Sequence, residues 1–243
     1  MVLMTQSGVS QLPENVLKCA YTRITDDLRQ ALLKCIDSTK KARTFGSVFA
    51  EPVDYVALGI PDYIEVIKRP MDLSTLKSNL LIGEYIFLHE FLKDAELIFS
   101  NCRTYNGMSN DGYFWKAAEE VEKFFINTIS RVDGLNLTLD IYKKIVQSPI
   151  PVIPEYSELP MTVSELQIMI KRMSELPKPA LTACIQYYLQ RKGASPEEMT
   201  GTEFTLHFVS TDSAILRDLD KLIRKKAMEA KENKTQRAKK LKH

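Results

Sequence analysis

The stretch Asn101-Cys102-Arg103-Thr104-Tyr105-Asn106 decides the reading of the fold. It closes a segment in which Leu88, Phe91, Leu92, Ala95, Ile98, Phe99 and Cys102 recur at helical spacing. That period predicts a helix over 87–105 that ends at Asn106. Asn106-Gly107-Met108-Ser109-Asn110-Asp111-Gly112 is then a turn by composition. Phe114, Ala117, Ala118, Val121, Phe124, Phe125 and Ile129 give the next helix a wide apolar stripe. Upstream, Asp72 caps a helix over 73–81 that stops at Gly83. A first helix begins near Ile24, with Thr22 or Thr25 as its cap and Lys40, Lys41 and Arg43 at its end. Four helices on this pattern make a bundle.

Between the first two helices lies a long irregular connection, residues 44–70. Pro52, Gly59, Pro61 and Pro70 break regular structure there. It is nevertheless apolar, with Phe45, Val48, Phe49, Val53, Tyr55, Val56, Leu58 and Ile60. Loops of this length and character tend to be functional. The plainer alternative is a loop that only packs on the bundle.

The connection carries Pro52-Val53-Asp54, Ile60-Pro61-Asp62-Tyr63 and Pro70-Met71-Asp72-Leu73, and Asn101 to Asn106 follows about thirty residues later. In order and separation these motifs resemble the bromodomain family over about residues 21–130. The resemblance implies an all-α, left-handed four-helix bundle with an acetyl-lysine pocket at one end. By that likeness Asn106 donates its amide N–H to the acetyl carbonyl, and Tyr63 holds the same oxygen through an ordered water. Phe49, Val53, Leu58, Ile60 and Tyr105 line the channel. Where some relatives carry a Trp-Pro-Phe shelf, this chain has Ser47-Val48-Phe49. The turn after Asn106 is longer than the family pattern, which leaves Phe114 and Tyr113 as alternative gatekeepers.

The chemistry suits that reading. Acetylation turns a cationic lysine into a neutral amide on an aliphatic stem. An apolar channel gains roughly 0.8 kcal/mol for each CH₂ it buries. A buried carbonyl left without a donor costs about 1–3 kcal/mol, and an asparagine supplies the donor without charge. A neutral pocket would reject the unmodified ammonium, which it could not pair. Taken alone, Asn106 fits a helix C-cap as readily, because Asn tolerates the left-handed conformation.

Residues 131–157 read as a linker, with a helix over 137–146 and then Pro149, Pro151 and Pro154. Thr162-Val163-Ser164-Glu165 is a capping box that opens a helix over 163–174. A second helix starts at Pro177-Lys178-Pro179 and ends at Gly193. Residues 203–209 alternate, with Phe204, Leu206 and Phe208 on one side, as a short strand does. Asp212 caps a last helix that runs into a basic tail, 227–243. Leu159-Pro160-Met161-Thr162, Phe204 to Phe208, Leu216-Arg217-Asp218-Leu219 and Arg224-Lys225-Lys226 resemble the extra-terminal domain of the bromodomain and extra-terminal (BET) family over about 158–226. The likeness implies recruitment of transcription or chromatin-factor peptides by strand pairing at Phe204, Leu206 and Phe208. Family members carry acids on that strand's polar face; here the positions are Thr205 and His207. A strand that merely staples two helices is the structural alternative.

Net charge is +2 over 243 residues, with 33 Lys and Arg against 31 Asp and Glu. Nine of the bases and two of the acids lie within Arg224 to His243, so that segment holds +7 and the rest −5. The tail invites nonspecific contact with nucleic acid phosphates or a nuclear-import role. Cys19, Cys35, Cys102 and Cys184 are far apart and form no zinc spacing, so free thiols and no metal or cofactor are expected. No phosphate loop, metalloprotease or nucleophile-elbow motif occurs, and a non-enzymatic protein is expected. Residues 1–20 read as an extension; its first eleven residues lack the pattern of a secretory signal. No apolar run is long enough for a span. The expectation is a nuclear adaptor with one bromodomain that binds acetylated histone H4 or H3 tails. The alternative is a nucleic-acid-binding adaptor that works through its basic tail.

Overall fold

The computed structural model describes residues 12–42, 45–107, 112–150, 160–195 and 204–240. Ten α-helices are resolved among them, and no strand; one isolated antiparallel bridge joins Arg23 to Phe87. Among the described residues, no helix is long and apolar enough to cross a membrane. The chain divides into two compact units, Met1–Lys77 with Tyr85–Pro151, and Ser78–Glu84 with Val152–His243.

In the first unit α1 (Glu14–Ala20) precedes α2 (Asp26–Lys40), whose cap is Thr25: its hydroxyl accepts the Leu28 N–H at 3.3 Å. A 3-10 turn, Gly46–Phe49, and the single-turn α3 (Tyr63–Val66) punctuate the long connection. Next comes α4 (Leu73–Ile82), of which Leu73–Lys77 belong to this unit, and Asp72 Oδ1 accepts the Ser74 and Thr75 N–H groups at 2.8 and 3.0 Å. Gly83 ends it at φ +82°, a left-handed conformation that glycine reaches at no steric cost. The two longest helices of the unit are α5 (Leu88–Asn106) and α6 (Tyr113–Ile129). Leu32 and Ile36 of α2, Leu73 and Leu76 of α4, Phe91 and Phe99 of α5, and Phe125 of α6 are all sealed from solvent. At the base of the bundle, Ile24 N–H donates to Ile86 O and Leu88 N–H to Thr22 O, at 2.8 and 2.9 Å.

This unit outgrows the limits of 21–130 on both sides. Val16, Cys19 and Ala20 of α1 are buried, as are Leu135, Leu137, and Ile141, Tyr142 and Ile145 of α7 (Leu139–Gln147). The Cys19 thiol donates to Leu135 O at 3.4 Å, which ties the two additions together. Both helices are amphipathic and need an apolar surface to fold against.

In the second unit α8 (Val163–Ser174) opens with the capping box: Thr162 Oγ1 accepts Glu165 N–H while Glu165 Oε2 accepts Thr162 N–H. Next come α9 (Lys178–Arg191) and α10 (Ser213–Lys240). Met169 and Met173, Cys184 and Tyr188, and Leu216, Leu219 and Ile223 form one core. The expected strand is not formed. Phe204 to His207 are irregular, Phe208–Ser210 is a 3-10 turn, and Glu203 lies outside the described residues. The predicted alternation is nevertheless present, because Phe204, Leu206 and Phe208 are half-buried while Thr205, His207 and Val209 are exposed. Among the described residues no neighbouring backbone completes a ladder. The proline stretch at 151–159, the centre of the turn at 108–111 and the two chain ends lie outside the described residues.

Candidate functional site

The pocket begins with a glycine. A Cβ on Gly46 would stand 2.3 Å from Thr39 O and 2.8 Å from Lys40 O, so only hydrogen fits against the end of α2. That close approach lays Gly46–Phe49 along the bundle and turns the Phe49 ring inward, edge-on to Phe99 with centroids 5.7 Å apart. The loop then folds on itself: Asp54 accepts Ala57 N–H with its side chain and Leu58 N–H with its carbonyl, both at 2.9 Å. Tyr63 follows, buried between Tyr105, edge-on at 5.0 Å, and Tyr55, stacked at 6.5 Å.

Facing this loop is the last turn of α5. Asn106 remains helical, and Gly107 beyond it takes φ +72°. The glycine therefore makes the left-handed exit, and the C-cap reading of Asn106 does not hold. The Asn106 amide nitrogen donates to Cys102 O at 2.9 Å and lies 3.7 Å from Cys102 Sγ, a weak acceptor that a carbonyl oxygen can replace; the two contacts fix the amide at the pocket wall.

A pocket of about 480 Å³ lies between loop and helix, within the range of small-ligand sites. It brings together Phe49, Val53, Leu58, Ile60, Tyr63, Tyr105, Asn106 and Phe114. Of the two gatekeeper candidates, Phe114 lines it. Tyr113 does not; its ring packs edge-on against Phe45 and Phe114, at 5.1 and 5.3 Å. Ser47 and Val48 line the side where a larger shelf would stand.

Sequence reasoning missed Met71, Ile98 and Cys102, which also line the pocket. For two of them the signal was available, because 98, 102 and 106 fall on one helix face. The Cys102 thiol donates to Phe114 O at 3.4 Å and so ties α5 to the first turn of α6. Burial pushes its pKa above the ordinary thiol value, and burial likewise raises that of Tyr63. Both groups are therefore neutral donors near pH 7.

One expectation needs correcting: the walls are not free of carboxylates. Glu51, Asp54 and Asp72 also line the pocket. Each is engaged by the protein itself. Glu51 pairs with Lys40 Nζ at 3.0 Å, a hydrogen bond that lowers its pKa. Asp54 holds Ala57 N–H, and buried Asp72 caps α4 while accepting the Ser74 and Thr75 hydroxyls. The three carboxylates thus already have donors of their own.

The second unit has its own concavity, a groove of about 460 Å³ between α8 and the residues before α10. Val163, Leu166 and Ile170 form one wall, and Leu206, Phe208 and Val209 the other. Phe204, expected there, does not line it. Tyr188 anchors the segment: its hydroxyl accepts His207 N–H at 3.2 Å, and its ring meets Phe208 edge-on at 5.6 Å. Val209 is 96% exposed and Val163 71%, high values for apolar side chains. Among the described residues, the Thr205 and Leu206 backbone groups have no hydrogen-bond partner. No group of metal-ligating side chains occurs among the described residues.

The part of the chain that holds the first pocket is similar to known proteins. The chain is 46% identical over 96 residues to transcription factor GTE9 of Arabidopsis thaliana, covering 40% of this chain and 13% of that protein. It is 51% identical over 67 residues to the SWR1 complex bromodomain subunit bdf1 of Schizosaccharomyces pombe, covering 28% and 12%. It is 44% identical over 73 residues to histone acetyltransferase GCN5 of Yarrowia lipolytica, covering 30% and 15%. The chain thus spans well under a fifth of each of these relatives. Residues 30–120, which hold the loop, Tyr63 and Asn106, match the bromodomain family model: this chain contains a bromodomain.

Proposed function

We propose that the chain is a non-enzymatic acetyl-lysine reader of the bromodomain and extra-terminal kind, acting on chromatin in the nucleus. Its first unit binds acetylated histone H4 or H3 tails. Its second recruits transcription or chromatin-factor peptides through the groove at Leu206 and Phe208. The observation that carries the reading is the convergence of the Asn106 amide, held by Cys102, with the buried Tyr63 and largely apolar walls in one pocket. An acetyl-lysine side chain needs those features: a channel for the stem, and donors for one carbonyl. Phe114 serves as gatekeeper, being the aromatic side chain of α6 that reaches the pocket. Recruitment by the second unit is supported by the unpaired backbone of Thr205 and Leu206, an open edge to which an extended peptide can add.

The test is calorimetric titration with a multiply acetylated, lysine-rich histone-tail peptide and its unmodified counterpart. The acetylated peptide binds and the unmodified one does not. Asn106→Ala removes the donor and weakens binding at least tenfold, about 1.4 kcal/mol or more. Equal binding of both peptides, or an unaffected Asn106→Ala variant, overturns the proposal. A second reading, contact with nucleic acid, is favoured by the continuation of α10 to Lys240, whose residues from Arg224 carry eight bases against two acids, a charge of +6.

A further inference from the structure

Two hydrogen bonds from one face of α5 hold the two ends of a single loop segment. Asn101 Nδ2 donates to Arg69 O at 2.8 Å, and the Tyr105 hydroxyl donates to Asp62 Oδ1 at 2.9 Å. The donors are four residues apart, neighbours one turn along the helix. The segment they bracket, 62–69, contains α3 and with it Tyr63.

That segment cannot fix its own shape. α3 is one turn of four residues, far below the length at which a helix holds itself, and Ile64 and Val66 point to solvent. Its far end is held twice over, by Asn101 and by an ion pair of Arg69 with Asp94 at 2.7 Å. Asp94 is itself braced by the Tyr85 hydroxyl at 2.9 Å. The near end, adjoining Tyr63, is held to α5 by one side-chain hydrogen bond among the described residues, that of Asp62 with Tyr105. The Tyr105 ring also packs edge-on against Tyr63. The bond that orients Tyr105 therefore also orients the surface on which Tyr63 rests.

We infer that Asp62 and Tyr105 form a positioning pair: the Tyr105 hydroxyl acts as a strut that sets Tyr63 against the pocket, and it makes no contact with the ligand. The effect on ligand binding rests on the acetyl-lysine reading of the pocket. The strut itself is a property of the free protein.

The full chain is compared with Tyr105→Phe, Asp62→Ala, the double variant and Asp62→Asn. Two quantities are read: hydrogen exchange of the 63–67 amides without ligand, and the dissociation rate of a multiply acetylated histone H4 tail peptide. Tyr105→Phe keeps the ring and its packing and removes only the hydroxyl. Expected are a rise of about three- to tenfold in both quantities for each single variant, the scale of one net hydrogen bond. The double variant is no worse than either single, because both remove the same bond. Asp62→Asn keeps an acceptor oxygen and stays near wild type, with all melting temperatures within a few degrees. Unchanged exchange in both single variants, or additive losses in the double, overturns the strut. If Tyr105→Phe speeds peptide release but leaves exchange in the free protein unchanged, the hydroxyl touches ligand and the strut is likewise wrong. If exchange responds as expected while acetylated and unmodified peptides bind alike, the strut stands and the acetyl-lysine reading falls.

Discussion

At the scale of single residues, the pocket depends on an atom that is missing. Gly46 is in an ordinary backbone region, so its requirement is spatial and not conformational. A methyl group there would collide with two carbonyl oxygens of the α2 C-terminus, and these are backbone atoms that cannot rotate away. Relief means moving the 3-10 turn off the helix, and Phe49 moves with it. Gly46→Ala is therefore expected to cost about 1–3 kcal/mol, the scale of overpacking in a close-packed core. It should weaken acetyl-peptide binding in the same variant. Urea unfolding and peptide titration together check this. Wild-type stability in Gly46→Ala would mean that the turn relaxes freely and that Phe49 owes its place to other contacts. From the sequence Gly46 was only one glycine in an irregular loop; the need for it appears only when α2 and the turn are brought together.

Among elements, α7 shows where sequence reading stops. The amphipathic run at 137–146 is legible as a helix, and α7 is there. That it packs on the bundle was not legible, because the partners lie far off in sequence. Tyr142 is 2% exposed and its hydroxyl donates to Glu122 of α6 at 3.3 Å. Burial, and secondarily the nearby Glu122, push the Tyr142 pKa up, so it remains a donor. Arg103 of α5 lies between Glu122 at 2.8 Å and Glu96 at 3.7 Å. Burial raises the Glu96 pKa, against the pull of its hydrogen bond with Ser100. Three helices thus share one half-buried polar network. Tyr142→Phe keeps the ring and loses one hydrogen bond, about 0.5–1.5 kcal/mol. Arg103→Leu strands two carboxylates and costs more, about 2–3 kcal/mol; a fully buried pair would cost more still, but these side chains keep a fifth to a quarter of their exposure. Equal costs for the two variants in urea unfolding would show that Arg103 does not hold the network together. The helices α5 and α6 were legible because their apolar period is long. The 203–209 segment misled for the opposite reason: period-two burial is real there, but periodicity cannot supply a partner strand.

At the scale of the whole molecule, charge is the property that sequence fixes most directly and that folding rearranges least. The second unit's core reaches Ala227 on α10, yet the helix continues to Lys240. From Met228 onward that is about 20 Å of helix at 1.5 Å per residue. Duplex DNA presents one phosphate charge per roughly 1.7 Å of axis, so an extension of this length has many phosphates within reach. With nine bases from Arg224 onward, the salt dependence of duplex binding has a ceiling: log affinity against log salt falls no more steeply than about −8. The expected slope lies between about −3 and that limit, by fluorescence anisotropy on a short duplex of arbitrary sequence. Replacing Lys231, Lys234, Arg237, Lys239 and Lys240 by Gln should flatten it by as much as about 4.5 and leave acetyl-peptide binding intact. Asn106→Ala should do the reverse, because its amide touches no phosphate. A flat slope in the wild-type chain, or a slope unchanged by the five substitutions, would leave the basic segment a solvated helix end; loss of acetyl-peptide binding in the five-fold variant would mean that the tail serves the pocket instead of the duplex.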